Sequence, residues 1–276
     1  MTKIIYDINR ELKIFYLIIE GRKIGFYLSN RLAKTFFDYL RKGVLVDFEI
    51  ATKRKKIHGK LYFQVAHFNR IISLEPHRVH YDLYQLRKDM QEVLKQYKYY
   101  LFIDFEMTMP GYTSTAFTPE IIQVGYVLSE AQGDIIEQNG YYVLPAPSTN
   151  LSKRTKKFLK LDELKFYEDA IHYEKFYEDL NRIIEKYQPK FVVWGKNDIT
   201  ALNDSYRLHH KNAIAQDTDF IDLLKLHKDY YNLKDDLGLY KAYKTYFEID
   251  GIQHHDANDD ALVTKYVFDA FMLHMQ

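Results

Sequence analysis

The sequence predicts an α/β fold, a mixed sheet flanked by helices, that carries a small β-rich module at its N-terminus. Three observations point to it. The apolar pattern changes at Tyr99, from short alternating runs to a continuous one. Beyond that point three strand-like runs are followed by helix, strand and helix, the order of a mixed sheet. Charge divides at the same place: residues 1–95 hold 19 Lys and Arg against 10 Asp and Glu, whereas residues 96–276 hold 20 against 28.

A chain of 276 residues has room for two unequal domains, and a hydrophobic fraction of 47% can supply a core for each. The expected division is a basic module over residues 1–95 and a second domain over residues 96–276. The absence of cysteine excludes disulfides and thiolate–metal sites and suits a reducing cytoplasm. The longest apolar run near the N-terminus, Phe15 to Ile19, is far too short for a membrane span or a signal segment, so no membrane is expected. A basic half joined to an acidic half fits a protein that holds a polyanion with one part and concentrates carboxylates on cations with the other. Two separately solvated surfaces would give the same totals.

In the first part, Lys13–Ile19 and Lys23–Leu28 read as strands joined by a turn at Glu20-Gly21-Arg22. Ser29 or Asn30 can cap a helix running through Leu32, Phe36 and Leu40 and stopping at Gly43. Val44–Ala51 and Lys60–Asn69 are two more strands, flanking a basic hairpin tip, Thr52-Lys-Arg-Lys-Lys-Ile-His-Gly59. An antiparallel module with one helix follows, the inventory of small barrels such as the OB fold. Its basic tip is expected to contact nucleic acid. A helix over Tyr81–Tyr97 links the two parts.

In the second part, Tyr99–Ile103, Ile121–Leu128 and Gly140–Leu144 read as strands, and Thr155–Leu161 and Ala170–Tyr187 as helices. Phe191–Trp194 is another strand after Pro189. Helices follow around Ala201–His209 and Phe220–Tyr231, and an amphipathic helix from about Ala257 to Leu273 closes the chain.

Acidic residues stand where these elements end. Asp104 and Glu106 follow the apolar strand; two apart, they face one side while Phe105 faces the other. Such a pair can grip a hard divalent cation through oxygen, although an Asp-x-Glu triplet also arises by chance. Asp198 follows the strand Phe191–Trp194 and Gly195, and would also serve as a helix cap. In His254-His255-Asp256-Ala257-Asn258-Asp259-Asp260-Ala261, Asp256 is the expected N-cap. Residues five apart inside a helix diverge by about 140°. A histidine in the loop before the helix and Asp260 on its first turns can nevertheless reach one point. A histidine there can equally be a surface or capping residue.

Taken in order, Asp-x-Glu, strand-then-Asp and His-x-Ala-x-x-Asp-Ala resemble the DEDDh exonucleases, the superfamily of RNase T and the proofreading subunit of DNA polymerase III. The wording is closest to the RNA-trimming branch, through Asp104-Phe-Glu-Met-Thr108, Pro119-Glu-Ile-Ile-Gln-Val-Gly125 and Phe220-Ile-Asp-Leu223. The resemblance spans about residues 99–273 and leaves residues 1–95 unmatched. His254 with Asp259 has the spacing of His255 with Asp260, but Ala257 and Ala261 fit the family pattern only in the second register. Asp204, deeper in its helix than Asp198, is expected to point elsewhere.

The resemblance implies an RNase H-like domain that acts as a 3′–5′ exonuclease. It implies two divalent cations, Mg²⁺ or Mn²⁺, held by Asp104, Glu106, Asp198 and Asp260, with His255 as the general base. Met107 and Thr108 are the expected contacts of the terminal nucleotide. The favoured substrate is single-stranded RNA or a short oligonucleotide. A DNA exonuclease of repair or proofreading, or a nucleic-acid-binding adaptor without catalysis, are the alternatives; the intact set of five residues argues against the adaptor.

Overall fold

The computed structural model describes every residue except 75–76, 112–116, 132, 147–150, 232, 234, 249–254 and 276. It falls into two compact units, Met1–Met90 and Gln91–Gln276.

The first unit contains strands β1 (Thr2–Ile4), β2 (Asp7–Asn9), β3 (Ile14–Ile19) and β4 (Arg22–Tyr27). Helix α1 (Asn30–Phe36) follows, then β5 (Leu45–Ile57), β6 (Lys60–Leu74) and β7 (His77–Asp82). Ser29 caps α1 by accepting from the Leu32 N–H, and the helix tightens into a 3₁₀ turn at Phe37–Tyr39 instead of continuing to Leu40. β1 and β2 are halves of one extended segment: β1 pairs with β5, and β2 pairs with β3. Between them the Ile5 N–H donates to the Val44 carbonyl at 2.8 Å and the Tyr6 N–H to that of Tyr16 at 2.9 Å. The remaining neighbours are β3 with β4, β4 with β6 in parallel, β6 with β5, and β7 with β6 off the ring. The ring therefore closes in the strand order of an OB barrel, with α1 between its third and fourth strands. Four buried rings, Phe15, Phe26, Phe48 and Phe68, fill it, with centroids 5.1 Å apart for Phe26 and Phe48.

The basic segment differs from the expected hairpin tip. β5 runs on to Ile57, with Arg54, Lys55 and Lys56 paired to Phe63, Tyr62 and Leu61, and only His58-Gly59 turns. Both turn residues have positive φ, 46° and 80°, the signature of a two-residue type I′ hairpin. The lysines are therefore held at fixed intervals along an extended, exposed strand.

Helix α2 (Leu83–Lys95) contains the division between the units, which falls five residues before the expected boundary. Leu94, on its last turn, packs with Tyr100 and Phe268 of the second unit. That unit contains β8 (Tyr99–Met107), β9 (Ile121–Glu130), β10 (Ile135–Tyr142), α3 (Lys153–Phe158), α4 (Glu163–Asp169) and α5 (Tyr173–Tyr187). It continues with β11 (Lys190–Val193), α6 (Asn197–Leu208), β12 (Phe220–Asp222), α7 (Leu223–Tyr231), α8 (Leu239–Phe247) and α9 (Ala257–His274). The sheet order is β10-β9-β8-β11-β12, antiparallel on the first side of β8 and parallel on the second. This is the mixed sheet flanked by helices that the sequence predicts. Phe220–Asp222, expected to begin a helix, is instead the parallel edge strand. No described helix is long and apolar enough to cross a membrane.

β8 is central and its apolar residues Tyr100 to Ile103 are buried on both faces, so two cores form. Leu101 and Ile103 pack against Phe176, Leu180 and Ile183 of α5, and Tyr100 and Phe102 against Phe268 of α9. The strand is thereby fixed in register up to the residues where its apolar run gives way to carboxylates.

Candidate active site

The site is built where α9 meets β8 and β9. Asp104 stands opposite Gly125 in the β8–β9 register. A Cβ on Gly125 would lie 2.1 Å from the Ala257 carbonyl carbon and oxygen, so only glycine lets the start of α9 rest on the sheet. Gly140 on β10 repeats the device, with Asn258 Cβ 2.7 Å from where its own Cβ would be. Ala257 and Ala261 are fully buried at this approach, which gives the family's small residues a physical reason. Asp256 caps α9 as expected: its Oδ1 accepts from the Asn258 and Asp259 N–H groups at 3.1 and 3.2 Å. Its Oδ2 accepts from Gln123 Nε2 at 2.7 Å.

One turn into α9, Asp260 joins Asp104 and Glu106. One oxygen from each of the three lies within 4.8 Å of the others. Asp260 is 4% exposed, and its Oδ1 accepts from the Tyr240 hydroxyl at 2.8 Å. Asp198 stands beside this trio. It does not cap α6, whose N-cap position is Lys196; its Oδ1 instead accepts the Phe105 N–H at 3.0 Å. The reason lies in the sheet. β11 pairs with β8 only as far as Val192↔Phe102, then leaves through Gly195 at φ 104°. The carboxylate supplies the acceptor that the departed strand no longer offers.

The carboxylates of this pocket act on one another. Burial and then the neighbouring Asp198, Asp260, Glu106 and Asp256 hold the Asp104 carboxyl well above the ordinary carboxylate range. Burial first, then Asp260 and Asp198, raise Glu106 to about 8. Burial takes Asp198 to about 7 against the opposing bond from the Phe105 N–H. Buried carboxylates that destabilise one another in this way, offering oxygen alone, are a donor set suited to a hard divalent cation.

His255 precedes the helix in the left-handed region, at φ 54°, where histidine is more readily accepted than most residues. Its side chain is 34% exposed, with Nδ1 4.0 Å from Glu106 Oε1, and its ring lies 4.3 Å from that of Phe158. Asp259, the acid of the alternative register, is exposed; His254 lies outside the described residues. Met107 and Thr108 line a cavity of about 390 Å³ with Glu106, Met109, Pro119 and Asn197. The Thr108 hydroxyl accepts from the Glu120 N–H at 2.9 Å. Asp204 borders the same cavity, paired with Arg207. Tyr240, Phe158 and Gln123 are partners the sequence reading missed. Only Gln123, inside the family-like Pro119–Gly125 run, carried a signal.

Residues 101–268 match the sequence profile of the exonuclease family RNase_T. The chain belongs to the RNase T exonuclease family. Over 170 residues it is 32% identical to KapD of Bacillus subtilis (strain 168), described as a probable 3′–5′ exonuclease; the match spans 61% of this chain and 82% of KapD. Among solved structures, the nuclease domain of 3′hExo, a DEDDh family member bound to rAMP, superposes with a TM-score of 0.53 at 19% identity, covering 64% of this chain and 92% of that one. A 3′-exonuclease that recognises the 3′ end of a histone mRNA stem-loop gives 0.54 at 18%, covering 64% and 82%. These two likenesses establish the fold. As a member of the RNase T family, the chain is a hydrolytic 3′–5′ exonuclease, and the family generally uses divalent metals.

Proposed function

We propose that this exonuclease removes nucleoside monophosphates from the 3′ end of single-stranded RNA or short oligonucleotides, with Mg²⁺ or Mn²⁺ held by Asp104, Glu106, Asp198 and Asp260. The observation that carries the reading is the convergence of Asp104, Glu106 and Asp260 beside Asp198, where burial and the neighbouring carboxylates raise Asp104 and Glu106. Two bound cations would acidify a water and steady the leaving 3′ oxygen. The remaining work falls to the chain. Asp198, fixed on the Phe105 N–H, keeps α6 against the strand that bears Asp104 and Glu106. His255, open to water on one side and turned towards Glu106 on the other, is the general base that takes the proton of the attacking water.

The cavity beside Met107 and Thr108 is the seat for the terminal nucleoside, and its volume lies within the usual range for small-ligand sites. The preference for RNA is supported by relatives that hold rAMP or recognise an mRNA stem-loop. The test is a side-by-side digestion of single-stranded RNA and DNA of equal sequence, with Mn²⁺ or with EDTA. Faster release from RNA, abolished by EDTA, is expected. Equal digestion in EDTA would overturn the metal assignment, and faster digestion of DNA would overturn the substrate.

A further inference from the structure

The outer surface of the N-terminal barrel carries an arrangement that packing alone does not require. Gly25 sits in the middle of β4 with an ordinary extended backbone, where glycine weakens a strand. Its neighbours explain it. A Cβ there would meet Tyr62 Cδ1 at 2.7 Å and Tyr16 Cε1 at 3.0 Å, so the two rings lie down across the strand. The register sets them in a row: Tyr16 is opposite Gly25, and Lys55 is opposite Tyr62. Residues directly opposite share a face. Tyr27, two along from Gly25, extends that surface.

Lysines stand over these rings. Lys23 Nζ lies 4.5 Å from the Tyr16 centroid, and Lys55 Nζ lies 5.7 Å from that of Tyr27. At the margin, Lys42 Nζ is 5.8 Å from the ring of Tyr6, itself 48% exposed. Asp7, opposite Tyr16, pairs with Lys23 at 2.6 Å; it is the acidic group facing this surface and a ligand phosphate would compete with it. Next to the platform, the continuous basic strand Lys53–Lys56 is exposed throughout.

From this geometry we infer that the barrel face formed by β3, β4, β6 and the outer half of β5 binds single-stranded nucleic acid. Bases stack on Tyr62, and on Tyr16 and Tyr27 as Lys23 and Lys55 turn from those rings to the flanking phosphates. The charge match favours a polyanion: residues 1–95 carry nine more basic than acidic groups. Flat rings in a basic groove are the means by which single strands are held without sequence readout. A duplex hides its base faces and cannot use them. The inference rests on the exonuclease reading only in supposing that the chain meets polynucleotides.

The test measures anisotropy of 5′-labelled single-stranded RNA, single-stranded DNA and duplex DNA, with the full chain in EDTA. Tyr62→Ala should weaken binding of single strands about tenfold, and Tyr62→Phe, which keeps the ring, should bind as the parent does. Lys55→Ala should shallow the logarithmic salt dependence by about 0.7 for the lost phosphate contact. If Tyr62→Ala fails to fold, the surface exchange Lys23→Glu with Lys55→Glu replaces it, with at least a tenfold loss expected. The RNA and DNA arms show which sugar is preferred. Unchanged affinity and salt slope in these variants, or duplex held as tightly as single strands, would overturn the inference. Trinucleotide hydrolysis in Mn²⁺ should be the same in all of them. Its absence even from the parent protein would sink the exonuclease reading and leave the binding result standing.

Discussion

Replacing Glu106 by Gln should make the metal-free protein more stable at alkaline pH while removing its activity. The Glu106 carboxyl ionises near 4.5 in the unfolded chain and at about 8 in the folded one. Between those values the folded state holds a proton that the unfolded chain has released. Its contribution is therefore fully present below 4.5 and is lost as pH rises through 8. The interval, 4.5 to about 8, corresponds to about 5 kcal/mol at 1.36 kcal/mol per unit. Because neighbouring carboxylates titrate with it, roughly 3–5 kcal/mol is a fair range. The side chain is only 13% exposed, so solvent screening removes little of this. For a unit of this size each kcal/mol moves the melting temperature by about 2–4 °C, so a shift on the order of 10 °C is expected. The assay is calorimetry in EDTA at about pH 5 and about pH 8, comparing the parent with Glu106→Gln. The variant should melt higher at pH 8 and nearly with the parent at pH 5. Added Mn²⁺ should stabilise the parent far more than the variant. An equal shift at both pH values, or a less stable variant at pH 8, would refute the electrostatic reasoning.

Asp104→Ala and Asp198→Ala should each lower the rate of nucleotide release at least about 100-fold while oligonucleotide binding persists; near-parental turnover in either purified variant would count against the site. His255→Ala should lose about 100-fold or more, and His254→Ala should be mild; steady-state rates giving the opposite ranking would shift the base to His254 and the acid to Asp259. Gly125→Ala forces a methyl into the Ala257 carbonyl, and overpacking of this kind costs about 1–3 kcal/mol or more. Its expected signature is a lower melting temperature together with a lost rate, and retention of both would show that α9 can shift freely.

Much of the site was legible because its signals are local. Tyr99–Ile103 reads as a strand since both of its faces are buried, and Asp104 and Glu106 follow it two apart. That a histidine stands before a helix capped by Asp256, with Asp260 inside it, followed from capping chemistry and helical period, whereas the choice of His255 over His254 came from the family pattern at Ala257 and Ala261. What escaped was set by distant contacts. β1 and β2 are too short to show periodicity and exist because β5 and β3 offer them partners. The parallel pairing of β4 with β6, which joins Phe26 to Phe63, has no signature in either segment. Phe220–Asp222 looks helical from its flanks, and only the neighbouring β11 makes it a strand. Lys53–Lys56 suggested a turn by its polarity, although cross-strand pairing with β6 extends it. Tyr240 belongs to α8, which the sequence reading did not foresee, so its bond to Asp260 could not be anticipated.

The bond from the Phe105 N–H to Asp198 separates the fates of the acidic residues under drift. Asp104 and Glu106 burden the fold wherever cations are scarce, so a lineage that gave up hydrolysis would gain stability by neutralising them. Asp198 is bound by a second obligation, because its oxygen completes the hydrogen bonding of the central strand. In such a lineage it should persist as Asp or settle on Asn, which keeps a carbonyl oxygen at the same reach. An inactive descendant would then be recognised by amides or small residues at positions 104 and 106 alongside an oxygen acceptor still in place at position 198.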